Sequence, residues 1–253
     1  GAVARLANHP AFDLPQYESA AAVGASGDPA DACAMGQTIG AYLKEYGFNM
    51  DFAPDADVNT NPDNPIIGTR AFSSDAAEAA DCAAAMARGL TGEGILPTFK
   101  HFPGHGDTAE DSHTGLAYSY RTVEELTACE LLPFEAAAEV GPHAVMVGHI
   151  VVPELTGDLP ATLCADAIAL VPDAENTLIV TDSLAMGAIT DSYTPGEAAV
   201  QALQAGCDVL LMPDGLADAY DAVLAAVQNG TLSEDRLDLS VNKILRMKAQ
   251  FCA

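Results

Sequence analysis

Five short, largely apolar runs are spaced along the chain, most of them preceded by an amphipathic stretch and each ending in polar residues. Residues 28–46 read as a helix: Asp28-Pro29 supplies a start, Ala32, Met35, Ile39 and Leu43 recur at helical spacing, and Gly47 stops it. Residues 48–53 follow as a strand. A helix over 74–90 leads into a strand over 95–101, and a helix over 123–140 leads into a strand over 144–150. Beyond these, the pattern predicts strands at 178–182 and 208–212, and helices at 195–205, 215–227 and 234–250. Strands that are apolar on both faces and joined by amphipathic helices imply an α/β protein with a parallel sheet covered on both sides.

An open doubly wound sheet and a closed barrel both satisfy that pattern. The polar residues separate them. Asp55 and Asp57 follow the first strand, Lys100-His101 end the second, His149 ends the third, Asp182 ends the fourth, and Pro213-Asp214 follow the fifth. Chemistry drawn from the C-terminal ends of many strands marks the upper face of a (β/α)8 TIM-type barrel, whereas an open sheet concentrates its site at one switch point. No repeat, low-complexity tract or linker divides the 253 residues, so a single domain over 1–253 is expected.

Composition narrows the partners. With 49% hydrophobic residues the chain can bury a core, which excludes disorder. Its 36 acidic against 10 basic residues give a net charge of −26, which disfavours nucleic acid and anionic membrane surfaces. The longest apolar stretches, such as residues 144–152, are too short for a transmembrane segment. Neither a signal peptide nor an initiating Met is visible at Gly1, so localisation stays open between the cytoplasm and a secreted or cell-surface site; oligomeric state is not readable. The six cysteines, with no CxxC pair, are expected to be reduced thiols.

The most unusual stretch is residues 100–115, KHFPGHGDTAEDSHTG, where Pro103 and the glycines favour an irregular loop over a strand end. Asp111 and His113 lie two apart, so the carboxylate can fix the imidazole tautomer and raise its basicity; an exposed Asx-turn with a solvated His is the bland alternative. Asp182 ends a buried strand and is either held for a substrate or caps the next helix. Arg70, one of few cations, either anchors a substrate or pairs with an acidic neighbour. His101, His105 and His113 with Asp107 or Asp111 fit no standard zinc spacing, and Pro-Gly-His-Gly lacks the spacing of a phosphate loop.

Three strings, residues 100–113 (KHFPGHGDTAEDSH), 57–75 (DVNTNPDNPIIGTRAFSSD) and 179–189 (IVTDSLAMGAI), together resemble glycoside hydrolase family 3, in its β-N-acetylhexosaminidase branch. The closing segments 208–213 and 243–248 are similar to that branch as well. The resemblance implies a barrel enzyme that removes terminal β-linked N-acetylglucosamine, notably from peptidoglycan fragments, with retention of configuration and with no cofactor or metal. It assigns Asp182 as nucleophile, His113 as acid/base and Asp111 as its orienting partner. Lys100, His101, Arg70, Asp57 and Arg5 match positions that hold the sugar. Relatives carry Asp-(Gln/Glu)-Glu-Gly-Gly-x-Val-x-Arg-Leu, and Gly1 to Leu6 fall within that motif, so the barrel is expected to lack its first strand or strands and the leading Asp. A phosphorylase acting on the same glycosides, a metal-dependent hydrolase and a non-catalytic sugar-binding protein are the alternatives.

Overall fold

The computed structural model describes residues 4–109 and 115–252. Helices α1 (Ala20–Gly24) and α2 (Pro29–Glu45) precede strand β1 (Met50–Asp51); α3 (Ala76–Gly92) leads into β2 (Leu96–Phe102). Next come β3 (Ala117–Tyr118), α4 (Val123–Ala128), α5 (Leu132–Ala137), β4 (Ala144–Val147) and β5 (Ile150–Val151). The short helices α6 (Pro153–Thr156) and α7 (Ala165–Ile168) lead to β6 (Leu178–Thr181), and α8 (Gly187–Thr190), α9 (Pro195–Ala205), α10 (Leu216–Gln228) and α11 (Glu234–Phe251) complete the order. Among the described residues no helix is long and apolar enough to cross a membrane.

The main sheet runs β1-β2-β4-β6, every pair is parallel, and Val209 bridges Val180 beyond β6. Neighbours therefore follow one another in chain order. A doubly wound sheet reverses direction at a switch point, so this order belongs to the TIM-type (β/α) barrel. Side-chain alternation supports it: Phe99, Val145 and Ile179 face the helices, in one cluster with Ala83, Ala87 and Phe134, while Leu96, Ala144 and Leu178 lie on the other face against Met247 of α11. α11 thus covers the N-terminal ends of the strands. That leaves the C-terminal ends, where the polar residues cluster, for the site.

Four expected elements differ. The strand over 144–150 leaves the main sheet after Val147, and Ile150–Val151 pair with β3 instead. The helix over 123–140 breaks into α4 and α5, because Pro133 lacks an N–H donor and sits in the first turn of a new helix. The strand over 48–53 is regular only at β1, yet pairing continues: Thr98 and Lys100 amides donate to Ala53 and Pro54 carbonyls, and Ala56 N donates to Lys100 O. The strand over 208–212 reduces to the Val209 bridge, since the Leu211 amide is taken by the Thr181 hydroxyl instead of a ladder carbonyl. All six cysteines are free, with Cys82, Cys164 and Cys207 buried and Cys252 exposed.

Candidate active site

The site begins with Asp57, which has no solvent exposure. Its Oδ2 accepts from His101 Nδ1 at 2.7 Å and from the His101 amide at 3.3 Å, and its Oδ1 accepts from the His105 amide at 2.6 Å. Both oxygens are therefore spent inside the protein, holding the end of β2 and the loop that follows. Asn64 reinforces that loop by donating to the carbonyls of His105 and Thr108. Gly106 is required there, because a Cβ would overlap the Val58 carbonyl. His105 is buried, with Nδ1 2.7 Å from the Thr108 hydroxyl.

His101 is fixed from both sides. Its Nε2 lies 3.2 Å from Arg70, and a guanidinium can only donate, so Nε2 accepts and Nδ1 carries the proton given to Asp57. Burial is the main reason its pKa falls to about 3, with Arg70 and Lys100 adding to the effect against Asp55 and Asp182. His101 is thus a neutral imidazole. Arg70 also forms an ion pair with Asp55 at 3.2 Å, so the bland reading of this arginine is realised, although it still lines a cavity.

Asp55 lies next to Lys100, to which it bridges in parallel register. Burial, then Asp57, push its carboxyl up to about 6, against the lowering effect of Arg70 and Lys100. Burial also lowers the Lys100 ammonium from its ordinary value, an effect that Asp55, Asp51 and Asp182 oppose. A cavity of about 620 Å³ opens here. Arg5, Asp51, Asp55, Thr69, Arg70 and Lys100 supply its polar lining, and side chains such as Tyr42 and Phe52 its apolar wall.

Asp182 follows β6 directly. Its amide donates to Val147 O, and its Oδ1 accepts from the Ser183 amide at 2.7 Å. The next helix starts at Gly187 with Met186 as its cap, so Asp182 does not cap it. Burial alone would raise its carboxyl, but the groups around it, the Ser183 amide and Lys100 among them, outweigh that and hold it below the ordinary carboxylate value. His149, fully buried, donates from Nε2 to Ser183 O at 2.9 Å and so braces the turn that carries Asp182. Asp182 does not line the cavity that Arg5, Arg70 and Lys100 share; it reaches the cluster through its interactions with His101 and Lys100. Asp111 and His113 lie outside the described residues.

Asp55 and His149 were absent from the expected site. Their signal was only that each is polar at a strand's C-terminal end. As a metal site, Asp55, Asp57 and His101 offer ligand atoms within 4.8 Å of one another. The fit is poor, because Asp57 and His101 already bond to each other and Arg70 pairs with Asp55.

The model of the glycosyl hydrolase family 3 N terminal domain matches residues 8–247. Beta-hexosaminidase LpqI of Mycobacterium tuberculosis is 36% identical over 219 residues, covering 83% of this chain and 56% of its own length. Beta-hexosaminidase A of Pseudoalteromonas piscicida is 32% identical, covering 87% of this chain and 41% of its own. A solved family 3 β-N-acetylglucosaminidase from Paenibacillus sp. FPU-7 superposes with a TM-score of 0.91 at 40% identity, over 94% of this chain and 47% of that one. The chain thus spans about half the length of these relatives. Strand order, strand-end charges and these likenesses, which run over nearly all of its residues, agree on one assignment: the chain belongs to glycosyl hydrolase family 3.

Proposed function

We propose that residues 1–253 form the catalytic barrel domain of a retaining exo-β-N-acetylglucosaminidase acting on terminal β-linked N-acetylglucosamine. The observation that carries this reading is the placement of Asp182: a half-buried carboxylate directly after β6, its Oδ1 held by the Ser183 amide at 2.7 Å and its charge acting on Lys100 at the end of β2. A nucleophile must be ionised to attack.

In the proposed reaction Asp182 attacks the anomeric carbon and forms a glycosyl ester, while His113, oriented by Asp111, gives its proton to the departing glycosidic oxygen. Water then attacks the same carbon, His113 takes its proton, and Asp182 is released. An imidazole in this role avoids placing a second carboxylate beside Asp182. Lys100, Arg70 and Arg5 hold sugar hydroxyls from the cavity, with His101 next to them; Asp57 acts behind His101 by fixing its tautomer. The net charge of −26 favours small peptidoglycan-derived fragments over an anionic polymer.

Release of 4-nitrophenol from its N-acetyl-β-glucosaminide tests the reading. Loss of release in Asp182→Asn and a strong drop in His113→Ala are expected, with N-acetylglucosamine of β configuration as first product. Undiminished release in both variants overturns it. Release that requires phosphate and yields a sugar 1-phosphate replaces hydrolysis with phosphorolysis.

A further inference from the structure

His149 lies between β4 and β5 with no solvent exposure. A buried imidazole needs partners for its ring nitrogens, whereas an apolar side chain would fill such a position without that demand. Its Nε2 lies 2.9 Å from Ser183 O, and a carbonyl can only accept, so Nε2 carries the proton. Its Nδ1 stands 2.8 Å from the hydroxyl of Thr162, which is itself fully buried in the turn before α7. The ring is thus clamped between two segments distant in sequence. Packing alone does not call for such a clamp.

The turn after β6 shows what the clamp holds. The Asp182 amide donates to Val147 O of β4, and the Leu184 amide donates to Leu211 O next to the Val209 bridge, each at 2.9 Å. The Leu211 amide in turn donates to the Thr181 hydroxyl at 2.8 Å. Strand ends therefore anchor the turn on either side of Ser183. Ser183 itself has two tasks: its amide donates to Asp182 Oδ1 at 2.7 Å, and its carbonyl accepts from His149. A rotation of Ser183 that released the carbonyl would also swing the amide that holds the carboxylate oxygen. Through this one residue, the seating of the His149 ring and the direction of the Asp182 carboxylate become a single constraint.

From this geometry we infer that His149, seated by Thr162, is a positioning residue for the nucleophilic carboxylate of Asp182. The inference rests on the function proposed above. His149 acts in this role through the Ser183 peptide and not on the sugar. Attack at an anomeric carbon requires the carboxylate oxygen to line up with the breaking bond, and a misplacement of about 1 Å costs roughly 100-fold in rate. Lys100, Arg70 and Arg5, which line the cavity from other segments, bind the sugar without needing that alignment.

The test measures kcat/KM on 2,4-dinitrophenyl N-acetyl-β-glucosaminide, whose leaving group departs without a proton, together with the inhibition constant of N-acetylglucosamine. It compares the wild-type chain with His149→Leu, His149→Asn and His149→Gln, with thermal melting to confirm folding. Glutamine places an amide N–H where Nε2 stands and can still donate to Ser183 O, whereas asparagine reaches only the Thr162 side and leucine neither. In the Leu and Asn variants kcat/KM is expected to fall about tenfold or more while the inhibition constant stays within about twofold, and Gln should recover part of the loss. Unchanged kcat/KM, a parallel loss of inhibitor binding, or a Gln variant no better than Asn at equal Tm overturns the inference. Should the His149 variants fail to fold, Thr162→Val, which keeps the shape and removes the hydroxyl, decides by the same comparison. A wild-type chain that cleaves and depends on Asp182 keeps the proposed function standing whatever the His149 variants do. One that does not cleave, or that loses nothing in Asp182→Asn, overturns both.

Discussion

Replacing Asp57 with asparagine changes one oxygen to an amide nitrogen, and the surroundings leave that nitrogen no acceptor. If the remaining oxygen faces the His105 amide, now 2.6 Å from Oδ1, the new NH2 faces the His101 Nδ1 proton and the His101 amide, which are donors. If the amide is turned over, the NH2 meets the His105 N–H instead. Moving the His101 proton to Nε2 gives no relief, because that nitrogen lies 3.2 Å from the Arg70 guanidinium. Each arrangement loses at least one hydrogen bond to a charged acceptor, about 1.5–3 kcal/mol, and leaves a buried donor unpaired, about 1–3 kcal/mol more. A destabilisation of roughly 3–5 kcal/mol follows, which for a domain of this size lowers Tm by roughly 10 °C. Thermal and urea unfolding followed by circular dichroism measure it. Stability within about 1 kcal/mol of wild type would refute the tautomer argument.

Asp55 titrates at about 6 in the folded protein, above its ordinary value of 3.8, so the folded state binds more protons than the unfolded state between those values. Stability should therefore fall as pH rises from about 4 to about 6 on account of this group, and Asp55→Asn should lose that component, as urea unfolding across the range would reveal. Asp208 is buried and accepts from Ile179 N, the Ser240 hydroxyl and Lys243 Nζ, so Asp208→Ala should cost about 3–5 kcal/mol in urea unfolding, because it strands the lysine and an amide. Gly106→Ala, which drives a methyl into the Val58 carbonyl, should lower Tm far more than Gly47→Ala, where a Cβ meets nothing within 4 Å and only the φ of +81 opposes it.

Local pattern was enough to read the parallel α/β layout, because strand burial on both faces and helix amphipathicity are written in short stretches of sequence. The same holds for the location of chemistry: Lys100, His101 and Asp182 announced themselves as polar residues at the ends of apolar runs. Where the chain was misread, the cause was a local exception, Pro133 starting a new helix turn inside a helical pattern or a side-chain hydroxyl of Thr181 taking a ladder amide.

What the residues do to one another was decided in three dimensions. Asp55 and Asp57 are two positions apart and alike in sequence. One lines the cavity with a carboxyl pushed up to about 6, and the other is buried behind His101 with both oxygens occupied. His101 is neutral because burial disfavours its charged form, with Arg70 against Nε2 adding to the effect, and Asp182 stays ionised because Lys100 from β2 and the Ser183 amide act on it. Periodicity follows from neighbours along the chain and can be read there, whereas desolvation and Coulomb forces act between groups tens of residues apart, so protonation and partnership emerge only once the barrel has brought those groups together.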